Sequence, residues 1–351
     1  MRVYCISCMI IFNLTAGWLF GQPVQEGNAN KEDMVLANKL YNQSIEIYND
    51  KDYSSAITTI SKAIALNPSF GNAYYNRGCY HLKMNNYNNA IADFDEAIQQ
   101  QPVALYYTAR GYAYMMKKEL QPALDNLMMA LQKDRDYAKA YYYRACLNIE
   151  QERYQQALAD LDLAIQKKPD FAEAYNERGS VHMELKELDA AKSDFTKAVT
   201  FDPTMAVAYT NLGILHFKMN ETEQALEYLT AALKINPDNY EAYNQRGEVK
   251  YNTKDFKGAI SDFEKALSIN PKYYFAFNNR GLAKYMTGDL TGAINDFTEA
   301  IGQNANYGEA FINRGIVKEM QRDEDGACRD WNKAMELGVT VAQKYVNNQC
   351  K

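Results

Sequence analysis

Small, aromatic and proline residues recur along this chain with a period of about 34 residues. In one period, Ala90 and Ala97 stand seven residues apart with Phe94 between them. An Arg-Gly pair, Arg77-Gly78, precedes the first of these alanines by twelve residues. Such a repeating pattern indicates an array of small stacked units rather than one globule with a single active site.

Each period has the same arrangement when its first residue is taken as position 1, so that Gly78 holds position 8. Alanine fills positions 20 and 27 of every repeat, aromatic residues favour positions 4 and 24, and proline is common at position 32. Alanine and glycine let two helices approach closely, whereas proline ends a helix because it lacks an N–H group. Since one repeat cannot bury its own apolar face, neighbours are expected to stack. The nine repeats begin near Ala37, Gly71, Ala104, Ala138, Ala172, Ala206, Tyr240, Tyr274 and Gly308.

These positions resemble those of the tetratricopeptide repeat, a helix-turn-helix of 34 residues. The resemblance covers residues 37–341 and implies an all-α fold, a right-handed α-α superhelical solenoid of about nine repeats. A capping helix is expected over 340–351 and a polar lead-in over 22–36. The chain departs from the family at position 7, where arginine mostly replaces the usual leucine.

Arginine at position 7 and aspartate at position 23 occur together in six repeats. Repeats one and six lack both residues, whereas repeat three combines Arg110 with Asn126. This co-occurrence predicts an ion pair between the two helices of one repeat, with a structural role that fixes register more than it adds stability. The predicted pairs are Arg77–Asp93, Arg144–Asp160, Arg178–Asp194, Arg246–Asp262, Arg280–Asp296 and Arg314–Asp330.

The first twenty-one residues differ from the rest. Arg2 precedes an uncharged apolar run over 3–20, and the chain turns polar at Gln22. This pattern is typical of a secretory signal peptide over 1–21, and a membrane anchor formed by 3–20 is the alternative. We therefore expect an exported protein, periplasmic or envelope-associated in a Gram-negative bacterium.

Four cysteines follow residue 21. Cys79 and Cys146 both hold position 9 but lie two repeats apart, so that stacking is expected to keep their thiols separate. Cys328 lies ten residues before Gly338 and Cys350 twelve after it, so that an antiparallel hairpin would bring them level. In an oxidising compartment we expect a disulfide between Cys328 and Cys350 that fastens the terminal cap.

Charge and motif content argue against nucleic-acid binding and catalysis. The net charge is −6, with both signs interspersed and no basic stripe, so no nucleic-acid partner is expected. His81, His182 and His216 hold position 11 of separate repeats, which indicates packing rather than a metal site. The sequence has no phosphate-binding glycine loop and no nucleophile beside a base. We expect no enzyme, no cofactor and no metal.

The resemblance implies that the first helix of each repeat lines a concave groove, with positions 2, 5, 6, 9 and 12 facing it. Positions 5 and 6 carry tyrosines early in the chain and asparagines later. An asparagine side chain can donate to and accept from a peptide backbone, so that a row of them can hold an extended chain. The alternative is that these are ordinary helix-surface residues. The candidate groove residues are Tyr41, Tyr75, Asn76, Tyr142, Tyr143, Asn176, Asn211, Asn244, Asn278, Asn279 and Asn313.

The charged residues at the remaining groove positions, 2, 9 and 12, are mostly carboxylates, and Lys139 is the only base at position 2. These carboxylates are Glu173, Glu241, Glu248, Glu309 and Glu319. The basic residues with which chaperone-binding members of the family grip a C-terminal carboxylate are absent, so that no heat-shock-chaperone carboxylate clamp is expected. We expect a protein or peptide partner that is neutral to basic, with apolar anchors toward the tyrosine-rich end.

The sequence thus predicts a protein–protein interaction scaffold that binds a peptide or protein segment in its groove. Two alternatives stay open. One is a structural scaffold that associates with itself as a homo-oligomer, and the other is a non-catalytic accessory subunit of an envelope complex.

Overall fold

The structure, a computed structural model, describes residues 30–350. The expected signal peptide over 1–21 and the alternative anchor over 3–20 lie outside this range. Within it the chain forms nineteen α-helices and no strand. It divides into two compact units, of which the N-terminal unit ends at Leu185 and the C-terminal unit begins at Lys186.

The N-terminal unit contains four helical hairpins and the first helix of a fifth, and consecutive helices pack against each other. Its helices are α1 (Lys31–Asn49), α2 (Tyr53–Leu66), α3 (Gly71–Lys83), α4 (Tyr87–Gln100), α5 (Ala104–Met116), α6 (Leu120–Lys133), α7 (Ala138–Glu150), α8 (Tyr154–Lys167) and α9 (Ala172–Glu184).

The C-terminal unit contains the second helix of repeat five, four more hairpins and a short final helix. Its helices are α10 (Leu188–Phe201), α11 (Ala206–Lys218), α12 (Thr222–Ile235), α13 (Tyr240–Asn252), α14 (Phe256–Ile269), α15 (Tyr274–Met286), α16 (Leu290–Gln303), α17 (Gly308–Met320), α18 (Glu324–Glu336) and α19 (Ala342–Gln349). The predicted all-α superhelical repeat fold is confirmed.

Helix α1 begins earlier than the repeat pattern indicates. It starts at Lys31, so that residues 31–36 of the expected polar lead-in are helical. The side chain of Asn30 accepts a hydrogen bond of 2.8 Å from the backbone N–H of Asp33, which caps the helix. Glu32 and Asp33 in the first turn also favour this start, because negative charge stabilises a helix N-terminus.

The recurring alanines and glycines lie where helices touch. Every alanine at positions 20 and 27 has no exposed surface, Ala259 and Ala266 among them. A Cβ atom on Gly78 would lie 2.6 Å from the ring of Phe94, so that only glycine leaves room for this aromatic residue. Repeat four instead combines Ala145 at position 8 with Leu161, and both are fully buried. Positions 8 and 24 therefore pack against each other, and leucine at position 24 faces alanine in repeat four but glycine in repeats three and six, where Gly111 and Gly213 oppose Leu127 and Leu229.

Two local features, a proline and a side-chain turn, are found where the second helices end. Helix α4 stops two residues before Pro102, as the sequence predicts. Helix α6 stops at the same position of its repeat without a proline, because the Asp134 side chain accepts a hydrogen bond of 2.8 Å from the N–H of Asp136. In repeat eight, Asn304 bonds to the N–H of Asn306 in the same way. The same aspartate or asparagine turn also forms beside a proline, at Asn67, Asp202, Asn236 and Asn270, so that it closes the repeat boundary with or without proline.

The last repeat is closed by α19, which begins at Ala342 rather than at the expected Thr340. The structure joins Cys328 of α18 to Cys350 by a disulfide, with their Cα atoms 5.5 Å apart. The buried ring of Trp331 stacks on Tyr345 of α19 at 5.0 Å. The disulfide and this stack therefore hold α19 over the end of the hairpin. Cys79 and Cys146 are buried thiols outside this disulfide.

Replacing Gly78 with alanine should lower the free energy of unfolding by about 1–3 kcal/mol, because the new methyl group overlaps Phe94. The double variant Gly78→Ala with Phe94→Leu should recover about 1 kcal/mol of that loss, because positions 8 and 24 then carry the alanine and leucine found in repeat four. Urea unfolding measures both. The matched control is Gly302→Ala in α16, where open space predicts a gain of about 0.5–1 kcal/mol. Additive effects of the two changes would contradict the coupling.

Removal of the disulfide by Cys328→Ala and Cys350→Ala should destabilise the cap by about 2–4 kcal/mol, because it closes a loop with a sequence separation of 22. The fluorescence of Trp331 should report the change, since its ring loses the contact with Tyr345. Reductant should alter the wild type in the same way and leave the variant unaffected. A wild type that melts identically with and without reductant would rule out this role.

Candidate functional site

The arginine at position 7 bridges the two helices of its own repeat. Arg246 Nη2 lies 2.7 Å from Asp262 Oδ1, and its Nε lies 2.9 Å from Oδ2, so that the contact is bidentate. Five of the predicted pairs form: Arg77–Asp93, Arg144–Asp160, Arg246–Asp262, Arg280–Asp296 and Arg314–Asp330. The remaining pair, Arg178–Asp194, has one residue in each unit and stays a prediction.

Each pair has further partners that the sequence analysis did not identify. The residue at position 11 also contacts the aspartate: Lys250 Nζ lies 2.7 Å from Asp262 Oδ2. In three of the five pairs the arginine also reaches position 25 of the preceding repeat, as where Arg246 Nη1 donates to Thr230 Oγ1 at 3.3 Å. The arginine guanidinium also lies 5.6 Å from the ring centre of Tyr243 at position 4. The arginine therefore joins neighbouring repeats as well as the two helices of one hairpin.

This network explains two of the three histidines at position 11, His81 and His216. His81 Nε2 lies 3.8 Å from Asp93, in the place that lysine takes in later repeats. In repeat six, where Tyr228 replaces the aspartate, the ring of His216 packs against it at 4.9 Å and bonds to Glu221. Residues 30–350 contain no group of three metal-ligating side chains. None of their helices is both long enough and apolar enough to cross a membrane.

The first helices form the inner layer of each unit. Helix α5 contacts α3 and α7 directly, and α13 contacts α11 and α15, whereas second helices mainly contact first helices. The layer whose helices approach one another lies on the inside of a curved stack. Positions 5 and 6 of the first helices therefore belong to the concave side of each unit.

The structure buries most of the candidate groove residues. Seven of the eleven are buried: Asn76, Tyr142, Tyr143, Asn176, Asn211, Asn244 and Asn278. The remaining four, Tyr41, Tyr75, Asn279 and Asn313, are partly exposed. Direct contact with a ligand is thus a prediction for these four, and the buried residues would act by orienting them.

Four asparagines of the C-terminal unit form a chain of side-chain hydrogen bonds. Asn313 Nδ2 donates to Asn278 Oδ1 at 2.9 Å, and Asn279 Nδ2 donates to Asn244 Oδ1 at 3.1 Å. A weaker contact of 3.5 Å from Asn278 to Asn279 connects the two bonds. Each amide carries two N–H groups and an oxygen with two lone pairs, so that the chain leaves hydrogen-bonding capacity unused. The partly exposed Asn279 and Asn313 present that capacity to the concave side.

The corresponding face of the N-terminal unit is aromatic. The rings of Tyr75 and Tyr106 lie 5.3 Å apart, and those of Tyr41 and Phe70 lie 4.9 Å apart. Burial raises the pKa of Tyr75 well above its usual value, so that its phenol stays neutral at pH 7. Burial, and then Lys168, lower the pKa of Lys139 on the same side. This face offers large apolar surface and one half-buried cation.

The C-terminal unit carries carboxylates on its concave face. Burial raises the pKa of Glu248, and the nearby Lys218 partly offsets this shift. Burial also raises the pKa of Glu241, and a hydrogen bond with Tyr240 opposes the shift. Glu241, Asn244 and Glu248 follow one another at helical spacing and therefore share one face of α13.

Two family models described as tetratricopeptide repeat match the chain, one over residues 71–102, 206–239 and 240–273 and the other over 142–206. Human serine/threonine-protein phosphatase 5 is 36% identical over 70 residues, which are 20% of this chain and 14% of that protein. The chain spans only 13–39% of the length of the curated relatives that it matches.

Solved structures match over more of the chain. A tetratricopeptide repeat protein from Parabacteroides merdae has a TM-score of 0.55 at 18% identity, covering 71% of this chain and 99% of its own. The APC/C hetero-tetramer Cut9–Hcn1 has a TM-score of 0.64 at 14% identity, with 79% and 55% covered. At these identities the similarity shows the fold alone.

Replacing Asp296 with asparagine should lower the free energy of unfolding by about 2–4 kcal/mol, because Arg280 and Lys284 lose the carboxylate that neutralises them. Repeat six supplies the matched control, since it is built without the ion pair. The residues of repeat six are introduced into repeat eight together, as Arg280→Leu, Lys284→His and Asp296→Tyr. This triple variant should lose at most half as much stability as Asp296→Asn. An unchanged urea midpoint for Asp296→Asn would show that the pair is not needed.

Proposed function

We propose, on the premise that the chain belongs to the tetratricopeptide repeat family, that it binds an extended segment of a partner protein on the concave face of its first helices. Proteins of this family generally mediate protein–protein interactions, and the repeat fold typically serves as a non-catalytic scaffold. The observation that carries the proposal is the chain of hydrogen-bonded asparagine side chains in the C-terminal unit. Two of its members, Asn279 and Asn313, are partly exposed.

An extended peptide exposes an N–H and a C=O group at every residue, and these need partners once water is displaced. The amides of Asn279 and Asn313 can supply both kinds of partner. Their bonds to Asn244 and Asn278 hold them in place before the ligand arrives, which reduces the entropy lost on binding. Main-chain recognition of this kind would hold a segment without reading its sequence.

Side-chain preferences would come from the surfaces around the amides. The aromatic face of the N-terminal unit, with Tyr41 and Tyr75, suits apolar anchor residues. The half-buried carboxylates Glu241 and Glu248 of the C-terminal unit disfavour an acidic segment. We therefore infer a partner segment that is neutral to basic and carries apolar residues.

We also infer export to an oxidising compartment, the periplasm or envelope of a Gram-negative bacterium. The disulfide between Cys328 and Cys350 supports this location, because such bonds persist where thiols are not kept reduced. The apolar run that follows Arg2 supports it as well.

A photo-cross-linking amino acid at Tyr75, Asn279 or Asn313 should capture a protein in intact cells of the source organism, because these side chains face the proposed ligand. Glu96 of α4 and Lys257 of α14 are exposed positions on second helices and serve as matched controls. Cross-linked bands should form at the first set of positions and be absent at the second. The same bands at both sets, or none at the concave positions, would contradict the proposed function.

A further inference from the structure

Glu248 is a carboxylate without a partner in an otherwise apolar row. The residues that share its position 9 in the neighbouring repeats are Ile214, Leu282 and Ile316, all partly exposed. Its Oε2 atom is shielded from solvent and has no hydrogen-bond partner. An ionised carboxylate in such surroundings is costly unless a cation or hydrogen-bond donor reaches it. A positive group bound beside Glu248 would therefore neutralise the one carboxylate in this row.

A lysine of the preceding repeat does not supply this positive group. Lys218, at the end of α11, acts on Glu248 through space but forms no ion pair with it. Five aspartates at position 23 have an arginine partner in the structure, as Asp262 has Arg246. Glu248 is thus an exception to the way in which this chain neutralises its buried acids.

Aromatic rings lie on the same side of the C-terminal unit. The ring centres of Tyr240 and Tyr273 lie 4.9 Å apart, those of Tyr273 and Phe275 lie 5.6 Å apart, and those of Phe275 and Tyr307 lie 5.5 Å apart. Burial raises the pKa of Tyr307, and Glu309, Tyr274 and then Glu248 raise it further, which places Glu248 within electrostatic reach of this row. Ring faces and a carboxylate together attract a cation.

The amides that the proposed function assigns to the peptide backbone adjoin this place. Asn244 precedes Glu248 by one helical turn and accepts a hydrogen bond from Asn279 at 3.1 Å. A segment whose main chain bonds to Asn279 and Asn313 would therefore pass beside Glu248. One of its side chains would reach the partly exposed carboxylate of Glu248.

We propose that Glu248 determines specificity in the C-terminal unit by receiving an arginine or lysine side chain from the bound segment of a partner protein. Leu282 and Ile316 then contact apolar residues that flank the basic one. This inference rests on the proposed function and adds a preferred residue type to it.

The test is a selection of phage-displayed random dodecapeptides on the immobilised protein and on two variants. Glu248→Gln removes the charge and keeps the shape, and Glu264→Gln removes the same charge from an exposed site on α14 of the same repeat. Peptides selected on the wild type and on Glu264→Gln should be enriched in arginine or lysine at one place. The enrichment should vanish on Glu248→Gln.

Affinities of one selected peptide give the size of the effect. Glu248→Gln should weaken the basic peptide about tenfold to hundredfold, and it should leave the same peptide with leucine in place of the basic residue within about twofold. The melting temperature of Glu248→Gln should equal or exceed that of the wild type, because an unpaired charge is lost. Equal weakening of both peptides, or a fall in melting temperature, would overturn the assignment.

A variant with Asn279→Ala and Asn313→Ala separates this inference from the proposed function. Peptides that require these asparagines but show no basic preference would overturn the role of Glu248 and leave the proposed function standing. Peptides that bind this variant as well as the wild type would overturn the proposed function, and the inference with it. If no peptide is enriched on the wild type, both the proposed function and the role of Glu248 are overturned.

Discussion

The buried aspartate at position 23 is the constraint on which the rest of the stack depends. Asp262 is 4% exposed and lies between helices, so that its charge must be neutralised within the protein. Arg246 does this with two bonds and also reaches Thr230 of the repeat before it. The same contact therefore sets the geometry of one hairpin and its register on the next.

This network leaves one side of each first helix for other uses. Positions 4, 7, 8 and 11 have the spacing of a single helical face and serve the scaffold, through the aromatic ring, the arginine, the glycine and the second partner of the aspartate. Positions 2, 5 and 9 form a different face, on which Glu241, Asn244 and Glu248 follow one another in α13. Positions 4, 7 and 8 of the scaffold face are nearly constant from repeat to repeat, whereas positions 2, 5 and 9 vary, and recognition of a particular partner can reside there.

The repeat period and the packing residues could be predicted from the sequence because they obey local rules. The ion pair between positions 7 and 23 could be predicted because the arginine and the aspartate are both missing from repeat six. The end of α6 has no proline to mark it, and the side-chain turn of Asp134 acts there alone, whereas Asp202 forms the same turn next to a proline. Burial of Asn244 and Asn278 was also missed, because helical position alone does not tell how closely the next first helix approaches. The unpaired oxygen of Glu248 is a property of three-dimensional surroundings, although a lone carboxylate among Ile214, Leu282 and Ile316 was its sequence signal.

A crystal structure of the protein with one selected basic peptide tests the central claim most directly, namely that the varying face of the first helices is the binding surface. The account predicts main-chain hydrogen bonds from the peptide to the side chains of Asn279 and Asn313. It also predicts a guanidinium or ammonium group about 3 Å from a carboxylate oxygen of Glu248. A peptide bound to second helices, or one that passes over the first helices without these contacts, would contradict it.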